Sequence, residues 1–87
     1  MDAIVNGIPY EFRNITGTAK RIEKSFGNAK KKGNGVNVFL NVESKISINE
    51  VRRRIGLVLE RHPEHTGKII ISVGGGRPYY WDSSSFR

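Results

Sequence analysis

Apolar and polar residues recur along the chain with periods that predict a β-hairpin at its start. Residues 3–13, AIVNGIPYEFR, read as two short strands joined by Asn6-Gly7. Asn-Gly favours a two-residue hairpin turn because both turn positions require a positive φ. Pro9 stands early in the second strand and lacks an N–H to donate, which suits a strand at the edge of a sheet.

A helix with a basic outer side is predicted next. Apolar side chains recur at helical spacing at Ala19, Ile22, Phe26 and Ala29. Thr16 or Thr18 is expected to cap the start, and Gly33 to end the run. Nearly opposite Ile22 on this helix lie Lys20, Lys24 and Lys31.

The middle of the chain predicts a central strand and a second helix. Residues 36–42 alternate, with four aliphatic residues on one face. Ser47 and Glu50 then form a capping box that opens a helix. This helix is expected to run to about Arg61 and to be closed by Pro63. Its apolar stripe consists of Val51, Ile55, Val58 and Leu59.

Two more strands complete the order. Residues 68–73, KIIISV, form a nearly continuous apolar run, as expected of a strand covered on both faces. After a glycine turn, Arg77 to Trp81 reads as a last strand with Tyr79 and Trp81 on one face and Tyr80 on the other. The order ββαβαββ predicts an α+β fold: two helices packed on a curved, mainly antiparallel sheet of four or five strands. We expect one domain over residues 1–82 and a loose tail over residues 83–87.

Composition and charge limit the kinds of site and of binding partner that the chain can have. A chain of 87 residues buries only about 60–65% of its unfolded surface, so any site is expected to be an open groove. There is no cysteine, which excludes disulfides and thiolate metal sites, and no apolar run approaches the roughly 20 residues of a membrane span. The net charge of +7 favours an anionic partner, nucleic acid before an acidic protein or a membrane.

Metal chemistry finds weak support in the sequence. His62 and His65 flank Pro63 and Glu64, but zinc needs further ligands at suitable spacing and none is evident, so no metal and no cofactor is predicted. Restriction-endonuclease-like folds carry an acid and then Glu-x-Lys on neighbouring hairpin strands. Asp2 followed by Glu11 and Arg13 follows that pattern loosely, although an arginine cannot give up a proton to activate water. Because of this loose match, a magnesium-dependent nuclease stays an alternative.

RNA cleavage without a metal needs fewer groups, because the ribose 2′-OH is itself the nucleophile. A base must take its proton, and cations must hold the phosphate. Glu11 and Arg13 stand two apart on one strand and so share a face, which makes a base and a clamp neighbours. From the spacing alone, an ordinary solvent-facing pair is an equal alternative.

Further cations and aromatics are candidates for binding RNA. Arg52, Arg53 and Arg54 fan over roughly 200° of the second helix, so only some can face one partner. A phosphate-tracking surface is expected from these arginines together with Lys20, Arg21, Lys24 and the run Lys30-Lys31-Lys32. Arg77, Tyr79, Tyr80 and Trp81 can stack on unpaired bases, although strand aromatics more often belong to a core.

The order of these motifs (hairpin, EFR, threonine-rich turn, basic helix, NVFLNV, a helix with arginines, GKIIIS) resembles a known group. It is similar to the C-terminal tRNA-nuclease domains of contact-dependent inhibition and other polymorphic toxins. These belong to the barnase–EndoU–colicin–RelE-like ribonucleases, which also occur fused to phage proteins. The resemblance covers roughly residues 3–81.

The resemblance implies a barnase/RelE-like fold and a toxin domain that cleaves tRNA to a 2′,3′-cyclic phosphate. It would act in the bacterial cytoplasm, delivered within a larger secreted or phage protein, and be held inactive by an acidic immunity protein; alone we expect a monomer. By position, Glu11 and Arg13 match the family's Glu-x-Lys, with Arg13 departing from the lysine. Further matches are Thr16 and Lys20 at the turn and helix start, Arg53 on the second helix and Ser72 on the late strand.

These matches define the roles we expect. Glu11 accepts the 2′-OH proton, Arg13 with Lys20 or Arg53 neutralises the phosphorane, and Thr16 and Ser72 hydrogen-bond the phosphate. The RNA-binding set comprises Lys20, Arg21, Lys24, Arg52, Arg54, Arg77, Tyr79 and Trp81. A nucleic-acid-binding module without chemistry and an adaptor for an acidic protein stay open as alternatives.

Overall fold

The computed structural model describes residues 2–43 and 45–86, with the backbone alone at residue 2. It contains five strands, two helices and a final 3₁₀ helix. Their bounds are β1 Asp2–Val5, β2 Ile8–Ile15, α1 Lys20–Lys30, β3 Val38–Val42, α2 Ile48–Arg61, β4 Lys68–Val73, β5 Tyr79–Asp82 and the 3₁₀ helix Ser83–Phe86. The predicted α+β class and the order ββαβαββ are confirmed.

The five strands form one sheet in the order β1-β2-β3-β4-β5. The outer pairs β1–β2 and β4–β5 are antiparallel, whereas β2–β3 and β3–β4 are parallel. The sheet is therefore mixed, which corrects the expectation of a mainly antiparallel one. The reason is that a helix joins each inner pair, and such a crossover returns the chain to begin the next strand in the same direction.

Both helices cover the same face of the sheet. Two right-handed crossovers that step in the same direction place their helices on one side, and α1 and α2 accordingly pack against each other. Apolar residues from alternate strand positions meet the helices to form the core. Its largest fully buried members include Ile22, Phe26, Ile55, Leu59, Leu40, Ile69 and Ile71.

The opposite face of the sheet carries no helix among the described residues, yet it is partly apolar. Ile70 is buried there, and in register it lies between Phe39 and Tyr80. The rings of Phe12 and Phe39 are 5.3 Å apart on the same face. This explains the continuous apolar run of β4: both of its faces are sheltered, one by helices and the other by neighbouring side chains. No helix in the described part of the chain is long and apolar enough to cross a membrane.

Two local predictions are confirmed and one is corrected. Asn6 and Gly7 have φ of 52° and 78°, as the hairpin turn requires, and the Ser47 hydroxyl accepts a hydrogen bond from Glu50 N–H. The start of α1 is different, because the N-cap is Ala19 and no side chain caps it. Ala19 already has helical φ and ψ, so the extended cap geometry that a threonine side chain needs is absent.

The last described residues, Ser83–Phe86, form a 3₁₀ helix. Where a loose tail was expected, Ser83 is buried and its hydroxyl donates a hydrogen bond to the carbonyl of Gly67 at 2.9 Å. The ring of Phe86 stands edge-on to Trp81, with ring centroids 5.5 Å apart. This final turn thus closes one end of the core; residue 87 lies outside the described residues.

Candidate functional site: a buried glutamate between two cations

Glu11 points toward the helices rather than toward bulk water. It pairs in register with Val38, a core residue of β3, and side chains directly opposite each other on neighbouring strands share a face. Arg13 pairs with Leu40 in the same way. The predicted common face of Glu11 and Arg13 is therefore the helix-covered face, and only 5% of Glu11 is exposed.

Two cations share the Glu11 carboxylate. Arg13 Nη1 donates to Oε1, and Lys32 Nζ lies 3.1 Å from Oε2. The Arg13 side chain is 27% exposed and that of Lys32 is 59% exposed. We call these three residues the Glu11 cluster. A phosphate that arrives from solvent meets the two cations first, with the carboxylate directly behind them.

Lys32 reaches the cluster because of the crossover. Helix α1 runs back against β2, so the residues just after its end return to the first half of that strand. Lys30, the last residue of α1 and two positions before Lys32, is buried, and its ammonium donates to the carbonyls of Asn34, Val36 and Thr66. Lys30 is thus withdrawn from the predicted phosphate-tracking run and instead anchors the loop beside the cluster.

A line of cations follows the outer side of α1. Lys20, Lys24 and Lys31 lie within about 40° of one another at about 100° per residue, with Arg21 beside them. All four are exposed, and within the described part of the chain none makes an ion pair. We call these four residues the α1 ridge. It rises about 16 Å along the helix, and its last residue, Lys31, directly precedes Lys32 of the Glu11 cluster in the chain.

Three of the four arginines of α2 are engaged with glutamates. Arg53 forms two hydrogen bonds to Glu50, at 2.6 and 2.9 Å. Arg54 and Arg61 both donate to Glu23 of α1, each at 2.7 Å. The hydrogen bond from Arg54 is the main reason why the pKa of Glu23 lies below its ordinary value. These contacts tie the helices together, and none of the described contacts of Arg53 or Arg54 is with the Glu11 cluster.

Thr16 and Ser72 do not join the cluster either. Thr16 is exposed, just beyond the end of β2. Ser72 pairs in register with Asn41 and donates to its Oδ1 at 2.7 Å, while Asn41 donates to Asn14. Because successive side chains of a strand alternate between faces, this polar row lies on the face opposite Glu11. The sheet itself separates Ser72 from Glu11 and Arg13.

The aromatic candidates gather at the other edge of the sheet. Tyr79 and Trp81 share a face, as predicted, with ring centroids 5.8 Å apart. The guanidinium of Arg52 lies 5.6 Å above the Trp81 ring, and Arg77 is exposed in the turn before β5. Strands β3 and β4 stand between this edge and β2, a separation of about 14 Å.

Among the described residues, one group of possible metal ligands lies close together: His62, Glu64 and His65, beyond the end of α2. The main residue that the sequence did not assign to the site is Lys32, which was placed only in a general cationic run. Its signal was its position directly after a helix that has to return along the strand carrying Glu11. Comparisons of the chain with protein-family models, with curated proteins and with solved structures found no match.

Proposed function

We propose that this chain is an endoribonuclease domain that cleaves RNA without a metal ion, with the Glu11 cluster as its catalytic centre. The observation that carries the proposal is one buried carboxylate shared by two partly exposed cations. This is the minimal set for the reaction: a base, a phosphate clamp and a proton donor.

The reaction begins with an exchange of ion pairs. Phosphate oxygens attract Arg13 and Lys32 as strongly as the carboxylate does, because charge-assisted hydrogen bonds to either anion are of similar kind. When the scissile phosphate takes over the two cations, Glu11 loses their stabilisation of its charge. It thereby becomes a better base at the moment when substrate is bound.

Proton transfer, attack on phosphorus and cleavage of the P–O5′ bond then follow. Glu11 accepts the 2′-OH proton, O2′ attacks phosphorus, and the P–O5′ bond breaks as the Lys32 ammonium gives a proton to O5′. The products are a 2′,3′-cyclic phosphate and a 5′-hydroxyl end. Arg13 stabilises the phosphorane but cannot donate a proton, because a guanidinium in a protein stays protonated. Lys32 thus supplies the proton donor that the arginine at position 13 does not.

The α1 ridge favours a long anionic substrate. Three exposed lysines in line, with Arg21 beside them, can follow a phosphodiester backbone along the helix that leads to Lys32. Together with the resemblance described above, this supports tRNA as the substrate and the bacterial cytoplasm as the place of action. An acidic immunity protein that covers the same ridge and the cluster would block access of the RNA.

The test is incubation with total bacterial tRNA in EDTA, followed by mapping of the fragment ends. We expect discrete fragments with 2′,3′-cyclic phosphates. Glu11→Gln should abolish cutting, and Lys32→Met should slow it by about 10²–10³, the usual loss for one charged donor. Glu60→Gln and Lys45→Met are matched controls, because both residues are exposed and outside the cluster. Unchanged cutting by Glu11→Gln would refute the assignment.

A magnesium-dependent nuclease is the second candidate, favoured by one observation. Asp2 pairs in register with Glu11 across the hairpin, so two acidic residues stand opposite each other on neighbouring strands. Carboxylate oxygens are the ligands that Mg²⁺ prefers, and Lys32 would provide the ammonium beside them. The Asp2 side chain lies outside the described residues. Cleavage that needs Mg²⁺ and is lost in Asp2→Asn would select this candidate.

A binding module without chemistry makes a third, distinct prediction. It would retain RNA in a manner that falls steeply with salt concentration and would release intact RNA under all metal conditions. Absence of any cleavage by the parent protein, with such retention, would overturn both nuclease candidates.

A further inference from the structure

The segment that follows α2 brings three metal-binding side chains together. His62 Nδ1 lies 3.2 Å from Glu64 Oε2, and His65 Nε2 lies 3.9 Å from the same oxygen. One donor atom from each residue falls within 4.8 Å of the others. The imidazole rings are nearly parallel, with centroids 4.8 Å apart. Two ring nitrogens and a carboxylate oxygen therefore lie close together.

The backbone holds this arrangement in place. Helix α2 ends at Arg61, and His62 leaves helical geometry with φ of −131° and ψ of 73°. Pro63 fixes its own φ, and the N–H of His65 donates to the carbonyl of His62 at 3.0 Å, which closes a turn over the segment. His65 is 7% exposed, so its ring is oriented by packing. The His65 ring is thus held in place, whereas the exposed side chains of His62 and Glu64 can adjust to a ligand.

The donor set identifies the class of ligand. Two imidazoles with one carboxylate are a known zinc combination, in which a fourth position is left for water. Tetrahedral zinc, with bonds of about 2.0–2.2 Å, needs its donors about 3.3 Å apart. The 3.2 Å pair already meets this requirement, and the 3.9 Å pair needs a movement of the exposed Glu64. The two imidazole nitrogens are up to 4.8 Å apart, so the exposed His62 ring also has to move toward His65. Mg²⁺ and Ca²⁺ prefer oxygen ligands alone and do not suit this set.

The electrostatic surroundings are mixed. The C-terminal end of α2 carries the negative pole of the helix dipole, which favours a cation. Lys31 is exposed on the neighbouring side of the cleft that these residues line with the end of α1, and it repels one.

We propose that His62, Glu64 and His65 form a binding site for one transition-metal dication of the zinc type. The bound ion links the end of α2 to the loop that leads into β4. The same loop supplies the Thr66 carbonyl that Lys30 binds, so the ion stabilises the fold. The site is separate from the Glu11 cluster and does not depend on the proposed cleavage of RNA.

The test uses the untagged chain, stripped of metal, titrated with zinc sulfate by calorimetry and followed by thermal denaturation. We expect one ion per chain and a melting temperature that rises with zinc concentration, as binding to the folded state alone requires. Magnesium at the same concentration should leave the melting temperature unchanged. Cobalt should give the visible absorption of a tetrahedral site with nitrogen and oxygen ligands.

Variants distinguish the site from adventitious binding. His62→Ala and Glu64→Gln change exposed residues, so the chain should still fold while zinc affinity falls by about 10-fold or more. Glu60→Gln, one turn earlier on α2, and Glu11→Gln should bind zinc like the parent. Absence of calorimetric binding by the parent, or parent-like affinity in both His62→Ala and Glu64→Gln, would overturn the proposal.

Discussion

Replacing Lys30 by methionine tests whether a buried ammonium holds the loops next to the Glu11 cluster. The Lys30 side chain is 2% exposed, and its ammonium donates to three backbone carbonyls, those of Asn34, Val36 and Thr66. Methionine keeps an unbranched apolar chain near the Phe26 ring, which the ammonium approaches to 5.7 Å, and lacks only the terminal nitrogen position. The change therefore removes the charge and its hydrogen bonds with little loss of volume.

The size of the effect follows from two opposing contributions. Hydrogen bonds to a charged group are worth about 1.5–3 kcal/mol each, so three give up to roughly 5–9 kcal/mol. Removing the ammonium also removes the cost of keeping a charge away from water, which is several kcal/mol. We expect a net loss of about 2–4 kcal/mol, a large part of the roughly 5–15 kcal/mol by which a domain is stable.

The assay is urea unfolding followed by the fluorescence of Trp81, the single tryptophan. With a slope of roughly 1–1.5 kcal/mol per molar, the midpoint should fall by about 2 M. Lys31→Met is the matched control, because Lys31 is the next residue and exposed; it should change stability by about 0.5 kcal/mol or less. Equal midpoints for Lys30→Met and the parent would refute the structural role of Lys30.

Three further changes test other parts of the fold. Gly67→Ala should lower the unfolding free energy by about 2–4 kcal/mol, because φ is 104° there and a Cβ would lie 2.8 Å from two backbone carbonyl oxygens; a parent-like melting temperature would contradict this. Gly27→Ala should raise it by about 0.5–1 kcal/mol, since the site is in α1 and no atom lies within 4 Å of the new methyl group. Stability should fall as the pH drops below 4.5, the ordinary pKa of Glu23, because the hydrogen bond from Arg54 keeps the pKa of Glu23 lower in the folded state and the unfolded state takes up the proton first. In urea unfolding at stepped pH, Glu23→Gln should flatten that decline, and a slope identical to that of the parent would count against the interaction.

Local chemistry made much of the fold predictable. The hairpin depends on Asn6 and Gly7, which accept positive φ, and the start of α2 on the Ser47 side chain. Each is decided within a few residues. The apolar pattern of one strand carries no information about the direction of its neighbour, so the parallel inner pairs follow only from the helical crossovers that connect them.

The candidate site was predictable only in part for the same reason. Glu11 and Arg13 are two residues apart, so their shared face followed from strand geometry. The contact of Lys32 with Glu11 and the convergence of Arg54 and Arg61 on Glu23 join residues 21 to 38 positions apart. Such contacts depend on how α1 returns across the sheet. Sequence spacing therefore indicated which residue types were available but not which of them meet.

The sequential strand order has a consequence for how the sheet can assemble. Each strand lies beside the one that precedes it, from β1 to β5. If the strands pair in chain order, starting from the N-terminus, each new strand adds to one free edge of the sheet. No later strand then has to insert between two strands that are already paired. Vectorial refolding, with each crossover helix added to the growing layer in turn, is compatible with this topology.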